Sequence, residues 1–173
     1  MKISWFIVLA RGEVAIEVLP EDWHLDGAGI AQIVELLPGV LRRMLGGEAH
    51  LPRVLFTDRG TGLYAPSGKV VHAYADAVDN AGFRLYWGRD AKAQAPDMGD
   101  LLLHETAVSW FRNRMRRERP VVVPWEETRA QWVVRANRCM RQINKEYDVA
   151  GLCREFPARL RACKELDGGR IGK

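Results

Sequence analysis

Four acidic residues stand where a divalent metal could be held. Asp58 closes the apolar run Val54-Leu55-Phe56-Thr57, where a strand empties into a loop carrying Gly60 and Gly62, and glycines there let backbone approach a ligand closely. Asp97, Asp100 and Glu105 cluster after the following strand, around the start of a predicted helix. Mg²⁺ takes one or two carboxylates together with water and phosphate oxygens, so acids arriving from separate elements are what a phosphoryl-transfer site requires. Each acid also has a plain structural role open to it: an Asx-turn for Asp58, helix capping for Asp97 and Asp100, a solvated helical position for Glu105.

A second group is basic. Arg112, Arg114, Arg116, Arg117 and Arg119 are interrupted only by Asn113, Met115 and Glu118. Arginines on a helix can hold a phosphate backbone, with an affinity that weakens with salt and reads no base sequence; the same run also describes a solvated helix face. The wider charge distribution leans the same way. The net charge is +4, but residues 1–100 hold 10 Lys/Arg against 13 Asp/Glu, while residues 101–173 hold 16 against 9. A basic second part suits a polyanionic partner.

Other chemistries find less support. His24, His50, His72 and His104 show no pair spacing suited to zinc. Gly60-Thr61-Gly62 is followed by no Gly-Lys-Ser/Thr, which excludes a Walker loop, and nucleotide binding is discarded. No cofactor-binding residues are assigned. Cys139, Cys153 and Cys163 are odd in number and lack Cys-x-x-Cys spacing, so they read as reduced, partly buried thiols in an intracellular compartment. The opening apolar run at residues 3–10 is far below the roughly 20 residues that cross a bilayer, and it lacks a signal-peptide cleavage pattern, so neither membrane nor secretion is expected. The six tryptophans mostly fall on apolar stripes or at element ends and read as core.

The elements that must position these groups follow from periodicity. Two short apolar runs around Arg11-Gly12 predict a β-hairpin. Ile30, Ile33, Val34, Leu37, Leu41, Met44 and Leu45 predict a helix, with a kink or split at Pro38-Gly39 and an end at Gly46-Gly47. Residues 53–57 predict a strand. Ser67 then caps a helix carrying Val70, Val71, Tyr74, Ala77 and Val78, which Gly82 ends before a strand at residues 83–87. That is a β-α-β unit, and its two strands should run parallel. Asp100 is placed to cap a helix through His104, Glu105, Val108 and Phe111 towards Met115. Thr128-x-x-Gln131 is a capping box opening a long helix with Trp132, Ala136, Cys139, Met140, Ile143 and Tyr147 on one stripe, and a last helical region from Val149 is broken by Pro157. With 173 residues, one domain is expected, with no visible repeat or linker.

The order of these features resembles the catalytic core of mariner-type transposases and integrases of the DDE superfamily. The segment from Ile3 to Asp58, ending in Val-Leu-Phe-Thr-Asp, resembles the middle of that core. Gln94-Ala95-Pro96-Asp97 resembles the family's Gln-Ser-Pro-Asp segment, and Leu103-His104-Glu105 with Trp110 resembles its third acid and the tryptophan after it. The resemblance covers roughly residues 3–118. It implies an α/β fold of RNase H-like type, a mixed sheet flanked by helices, with residues 1–118 as a partial core and 119–173 as a helical extension packed on the same domain. It also implies Asp58 as the second metal ligand and Glu105 as the third, with Asp100 competing for that place, and Mg²⁺ or Mn²⁺ activating a nucleophile for attack on a DNA phosphodiester.

Two departures from the family pattern matter. The interval from Asp58 to Glu105 is longer than usual, and the strand bearing the first catalytic aspartate belongs before Ile3. The expectation is therefore a fragment with impaired DNA cleavage and strand transfer. DNA is the expected partner, a homodimer one assembly open to it, and the nucleus the location if the source is eukaryotic. The alternative is a non-catalytic RNase H-like module that binds nucleic acid through Arg112, Arg114, Arg116, Arg117, Arg119 and the basic tail, and a blander one is a protein-interaction scaffold with an incidental basic face.

Overall fold

The computed structural model describes residues 3–23, 27–47, 52, 54–55, 72–85, 103–120, 123 and 126–166, with the side chains of residues 27, 28 and 72 left aside. Its elements in chain order are strands β1 (Trp5–Ala10) and β2 (Glu13–Val18), helix α1 (Gly27–Leu45), strand β3 (Val54–Leu55), helix α2 (His72–Asn80), strand β4 (Arg84–Leu85), and helices α3 (Leu103–Arg117), α4 (Arg129–Glu146) and α5 (Val149–Glu165). The described part is thus mixed α/β and mostly helical. Its strands form two separate two-stranded sheets, β1 with β2 and β3 with β4. The single mixed sheet implied by the resemblance is not assembled among the described residues.

The chain divides into two compact units, one formed by Met1–Glu21 with Gly99–Lys173 and the other by Asp22–Met98. This is a finer division than the single domain expected. The boundary expected at residues 118 and 119 falls inside the first unit, between α3 and α4, which pack on one another.

In the first unit, β1 and β2 form the predicted hairpin, with Ala10 opposite Glu13 across a two-residue turn. Arg11 and Gly12 both take positive φ, 48° and 85°, the combination that matches the twist of the flanking strands. Gly12 is also required sterically, because a Cβ there would stand 2.8 Å from the Cβ of Ala150 at the start of α5. One face of the hairpin is apolar and meets α3 and α4. Val14 and Ile16 join Ala107, Phe111, Ala136, Cys139, Met140, Ile143 and Val149 in one buried cluster, with Trp5, Ile7, Leu9, Trp110 and Trp132 packed against it. Phe111 takes both Trp5 and Trp132 edge-on, at ring separations of 5.1 and 6.3 Å.

The helix starts here obey the capping rules. The Thr128 hydroxyl accepts from the Gln131 amide while the Gln131 side chain accepts from the Thr128 amide, the reciprocal box predicted for α4. Asp148 caps α5 by accepting from the Gly151 amide at 2.6 Å. Pro157 does not break α5, which continues to Glu165.

In the second unit α1 packs on α2, burying Ala31, Val34, Leu37, Val40 and Leu41 from one helix and Tyr74, Ala75, Ala77 and Val78 from the other. Pro38 neither splits nor ends α1. An interior proline costs about 3 kcal/mol, and Leu37, Val40 and Leu41, buried beside it, each return about 1.5–3 kcal/mol by leaving water. Gly82, at φ 75°, ends α2 by a Schellman arrangement in which the Phe83 amide donates to the Val78 carbonyl and the Gly82 amide to that of Asp79. The chain then enters β4, which pairs parallel with β3, Val54 opposite Arg84 and Leu55 opposite Leu85, as the β-α-β pattern requires.

Candidate nucleic-acid interface

Helix α3 presents two unlike faces. Ala107, Phe111, Arg114 and Glu118 recur at spacings of three and four and lie on the side that meets the core and α4. Glu105, Ser109, Arg112, Asn113, Arg116 and Arg117 lie on the opposite stripe and are all exposed. Arg119 lies just past the helix end and is exposed as well. The arginine run therefore divides by helical phase, and its members have different work.

Arg114 is held inside the structure. Its guanidinium grips the Glu146 carboxylate with two nitrogens at 2.7 and 3.2 Å and donates to the Gln142 side-chain oxygen at 2.8 Å, with Glu118 at 3.7 Å. These bonds tie α3 to α4 and engage all three nitrogens of the guanidinium. Just beyond, Arg135 of α4 forms a fork on the buried Glu127 carboxylate at 2.7 and 2.6 Å. Its remaining nitrogen donates to the carbonyls of Met115 and Glu118 at 3.0 and 3.1 Å, so it also caps the C-terminal end of α3. The hydrogen bond to Glu127 holds the guanidinium above its ordinary pKa despite burial. Trp110 stacks on Tyr147 at 4.6 Å and closes the same helix pair near the other end.

Arg112, Arg116, Arg117 and Arg119 contrast with these. None forms an ion pair with another described residue, and all four side chains are exposed. The outer side of α4 adds exposed Arg138, Arg141 and Lys145, of which Arg138 lies 3.9 Å from Glu118. The first unit as a whole carries 18 Lys/Arg against 13 Asp/Glu, whereas residues 22–98 carry 8 against 9. The positive charge is thus concentrated in one unit and exposed along one stripe of α3.

The acids divide differently. Glu105 is exposed in the first turn of α3, on the stripe shared with Arg112 and Arg116. Asp58, Asp97 and Asp100 lie outside the described residues. Among the described residues no three of His, Cys, Asp and Glu come together as a metal site would require. His104 is half-buried, His24 and His50 lie outside the described residues, and His72 begins α2. The three cysteines are free: Cys139 is buried, Cys153 and Cys163 half-buried. Burial, reinforced by Glu118, raises the pKa of the Cys139 thiol and keeps it protonated.

Three features of this region escape a reading of sequence alone. The engagement of Arg114 had one local sign, the i, i+4 spacing to Glu118. The Arg135–Glu127 pair had none, since eight residues and a helix start separate the two. Asn144 is an exposed residue, yet its side chain bonds both backbone groups of Val14, accepting from the amide at 2.9 Å and donating to the carbonyl at 2.8 Å. No described helix is long and apolar enough to cross a membrane. No protein-family model, no curated protein and no solved structure matches this chain.

Proposed function

We propose that the first unit binds nucleic acid, holding the phosphate backbone along the exposed stripe of α3 through Arg112, Arg116 and Arg117, with Arg119 at its end. The observation that carries this reading is the separation within one arginine run: Arg114 is engaged internally, while its four neighbours are exposed and free of ion pairs with described residues. Guanidinium groups held on a helix backed by a packed core present phosphate with fixed, forked donors. Binding of this kind tolerates any sequence and falls steeply with salt, by about 0.9 in log K per log salt for each phosphate neutralised on duplex DNA. Titrating a labelled duplex at several salt concentrations tests it. Binding that is weak at low salt, or indifferent to salt, removes the proposal.

A second reading adds chemistry to the same surface, DDE-type metal-dependent DNA cleavage and strand transfer, in which Asp58 and Glu105 hold Mg²⁺ or Mn²⁺ and Asp100 competes with Glu105. Its support is that Glu105 shares the stripe of α3 with Arg112 and Arg116, so a backbone held by the arginines would pass near a free carboxylate. Glu105 alone does not make a metal centre. Nicking of supercoiled DNA with Mg²⁺ or Mn²⁺ that Asp58→Ala and Glu105→Ala each abolish supports this reading; DNA binding unchanged in both variants, with no nicking, leaves the non-catalytic module.

A further inference from the structure

The two outer edges of the hairpin differ. Leu19 donates to the Ser4 carbonyl, and pairing in an antiparallel ladder alternates from there, so Phe6, Val8 and Ala10 bond inward to β2 while Trp5, Ile7 and Leu9 turn their amides and carbonyls outward. On β2 the outward residues are Val14, Ile16 and Val18, and α4 covers that edge, with Asn144 satisfying both backbone groups of Val14. On β1 no described residue bonds the outward groups of Trp5, Ile7 or Leu9. An open edge is ordinarily protected by a charge, a proline or a bulge, and the strand Trp-Phe-Ile-Val-Leu-Ala has none of them.

We propose that the outer edge of β1 pairs with β1 of a second copy of this chain, antiparallel about Ile7, joining two hairpins into one four-stranded sheet. The sequence of the strand is what selects a copy of itself. With Ile7 opposite Ile7 of the second copy, Trp5 falls opposite Leu9 and Phe6 opposite Val8, so apolar meets apolar on both faces and no charge opposes its like. The outward groups number an odd three centred on Ile7, which lets a two-fold axis pass through that residue and form about six inter-strand hydrogen bonds. On each copy the face bearing Trp5, Ile7 and Leu9 already rests on α3, so the joined sheet continues a core face on one side, with Phe6 and Val8 on the other.

Backbone direction gives the test its selectivity. The Ile7 amide takes no part in pairing with β2, whereas the Val8 amide does. Ile7→Pro therefore removes both donors of the central pair between copies and spares the hairpin ladder. Light scattering and sedimentation on the full chain should report a dimer, and Ile7→Pro should raise its dissociation constant at least tenfold with the circular dichroism spectrum retained. Val8→Lys, which alters no backbone group, should weaken the dimer as well by setting an ammonium group beside Phe6 of each opposing strand. If Ile7→Pro fails to fold, Val8→Lys and the concentration dependence of amide exchange at Trp5, Ile7 and Leu9 decide. A chain that stays monomeric at its highest soluble concentration overturns the proposal, as does a dimer that both variants leave unchanged. Amides protected equally at all concentrations in a monomer show that another strand covers the edge, which also overturns it. None of these outcomes depends on DNA, so the proposal stands or falls apart from the nucleic-acid reading.

Discussion

Arg114 and Arg116 stand two residues apart on α3 and share a chemistry, yet one is enclosed by Glu146, Gln142 and Glu118 while the other faces water. Two residues along a helix turn the side chain by about 200°, so neighbouring arginines fall on opposite faces. A dense basic run is therefore not one feature. Its one inner member, Arg114, ties helices together as Arg135 does; its outer members are exposed. Substitutions on the two sides should separate stability from binding.

The inner side should give the largest effect. Arg135→Met leaves Glu127 buried without its partner and strips the carbonyls of Met115 and Glu118 of their donor, so it should cost about 3–5 kcal/mol in denaturant unfolding. The double variant Arg135→Met with Glu127→Leu should recover most of that loss, because the pair contributes less than its breaking costs. A double variant as unstable as the single would show that the bonds to the carbonyls, and not the stranded carboxylate, dominate.

Asn144→Ala should come next. It removes one side chain that satisfies two backbone groups of Val14, a residue only 1% exposed, and should cost about 1–3 kcal/mol. Asn144→Asp is the stricter variant. It keeps an acceptor for the Val14 amide but sets an oxygen against the Val14 carbonyl, so it should be no better than alanine.

How far the sequence revealed these features depends on the range of the interactions involved. Local chemistry was legible: the Arg11-Gly12 turn, the Thr128–Gln131 box, the Gly82 stop and the parallel β3–β4 pair all follow from residues within a few positions or from one repeating pattern. At Pro38 the expected split does not occur, because the local penalty was set against burial of Leu37, Val40 and Leu41 that only the folded partner supplies. Helix α5 runs through Pro157 as well, where burial gives no such account, since its buried residues are Val149 and Leu152. The division into two units was illegible for a related reason, since the hairpin at residues 5–18 finds its partners beyond residue 103, across a span that periodicity does not connect. The basic run could be seen in sequence, but not its split, because the partners of Arg114 lie 28 and 32 residues away. Whether Asp58 meets Glu105 was posed by sequence as a spatial question, and Asp58 lies outside the described residues.

Cys139 offers a gentler probe of the inner side. Its thiol pKa is raised in the folded chain, first by burial and then by Glu118, so the folded state holds this proton more tightly than the unfolded one. The resulting stability is fully present below the ordinary thiol value near 9.0 and is lost as pH rises through the higher folded value. Melting temperature should fall above that pH, and Cys139→Ala, although less stable at neutral pH from the smaller side chain, should show a shallower alkaline decline. An equal decline in both proteins would assign the alkaline loss to other groups.

The smallest effect on stability belongs to the outer stripe, where the largest effect on binding is expected. Arg112→Gln, Arg116→Gln and Arg117→Gln together remove three exposed cations that pair with no described residue, and surface changes of that kind usually stay within about 0.5 kcal/mol each. If each guanidinium meets a phosphate, the triple variant should bind duplex DNA more weakly at every salt concentration, and its salt slope should be shallower by about 0.9 for each phosphate no longer neutralised. The slope discriminates better than the affinity, because a general weakening of the positive field lowers affinity at low salt without freeing particular phosphates. An inner-side control completes the test: Arg114→Gln removes the same single charge but breaks the tie between α3 and α4, so it should lower the unfolding midpoint while leaving the slope close to that of the parent. A slope changed as much by Arg114→Gln as by Arg116→Gln would mean that the two faces of α3 are not distinct to DNA, and the division drawn from their burial would lose its functional meaning.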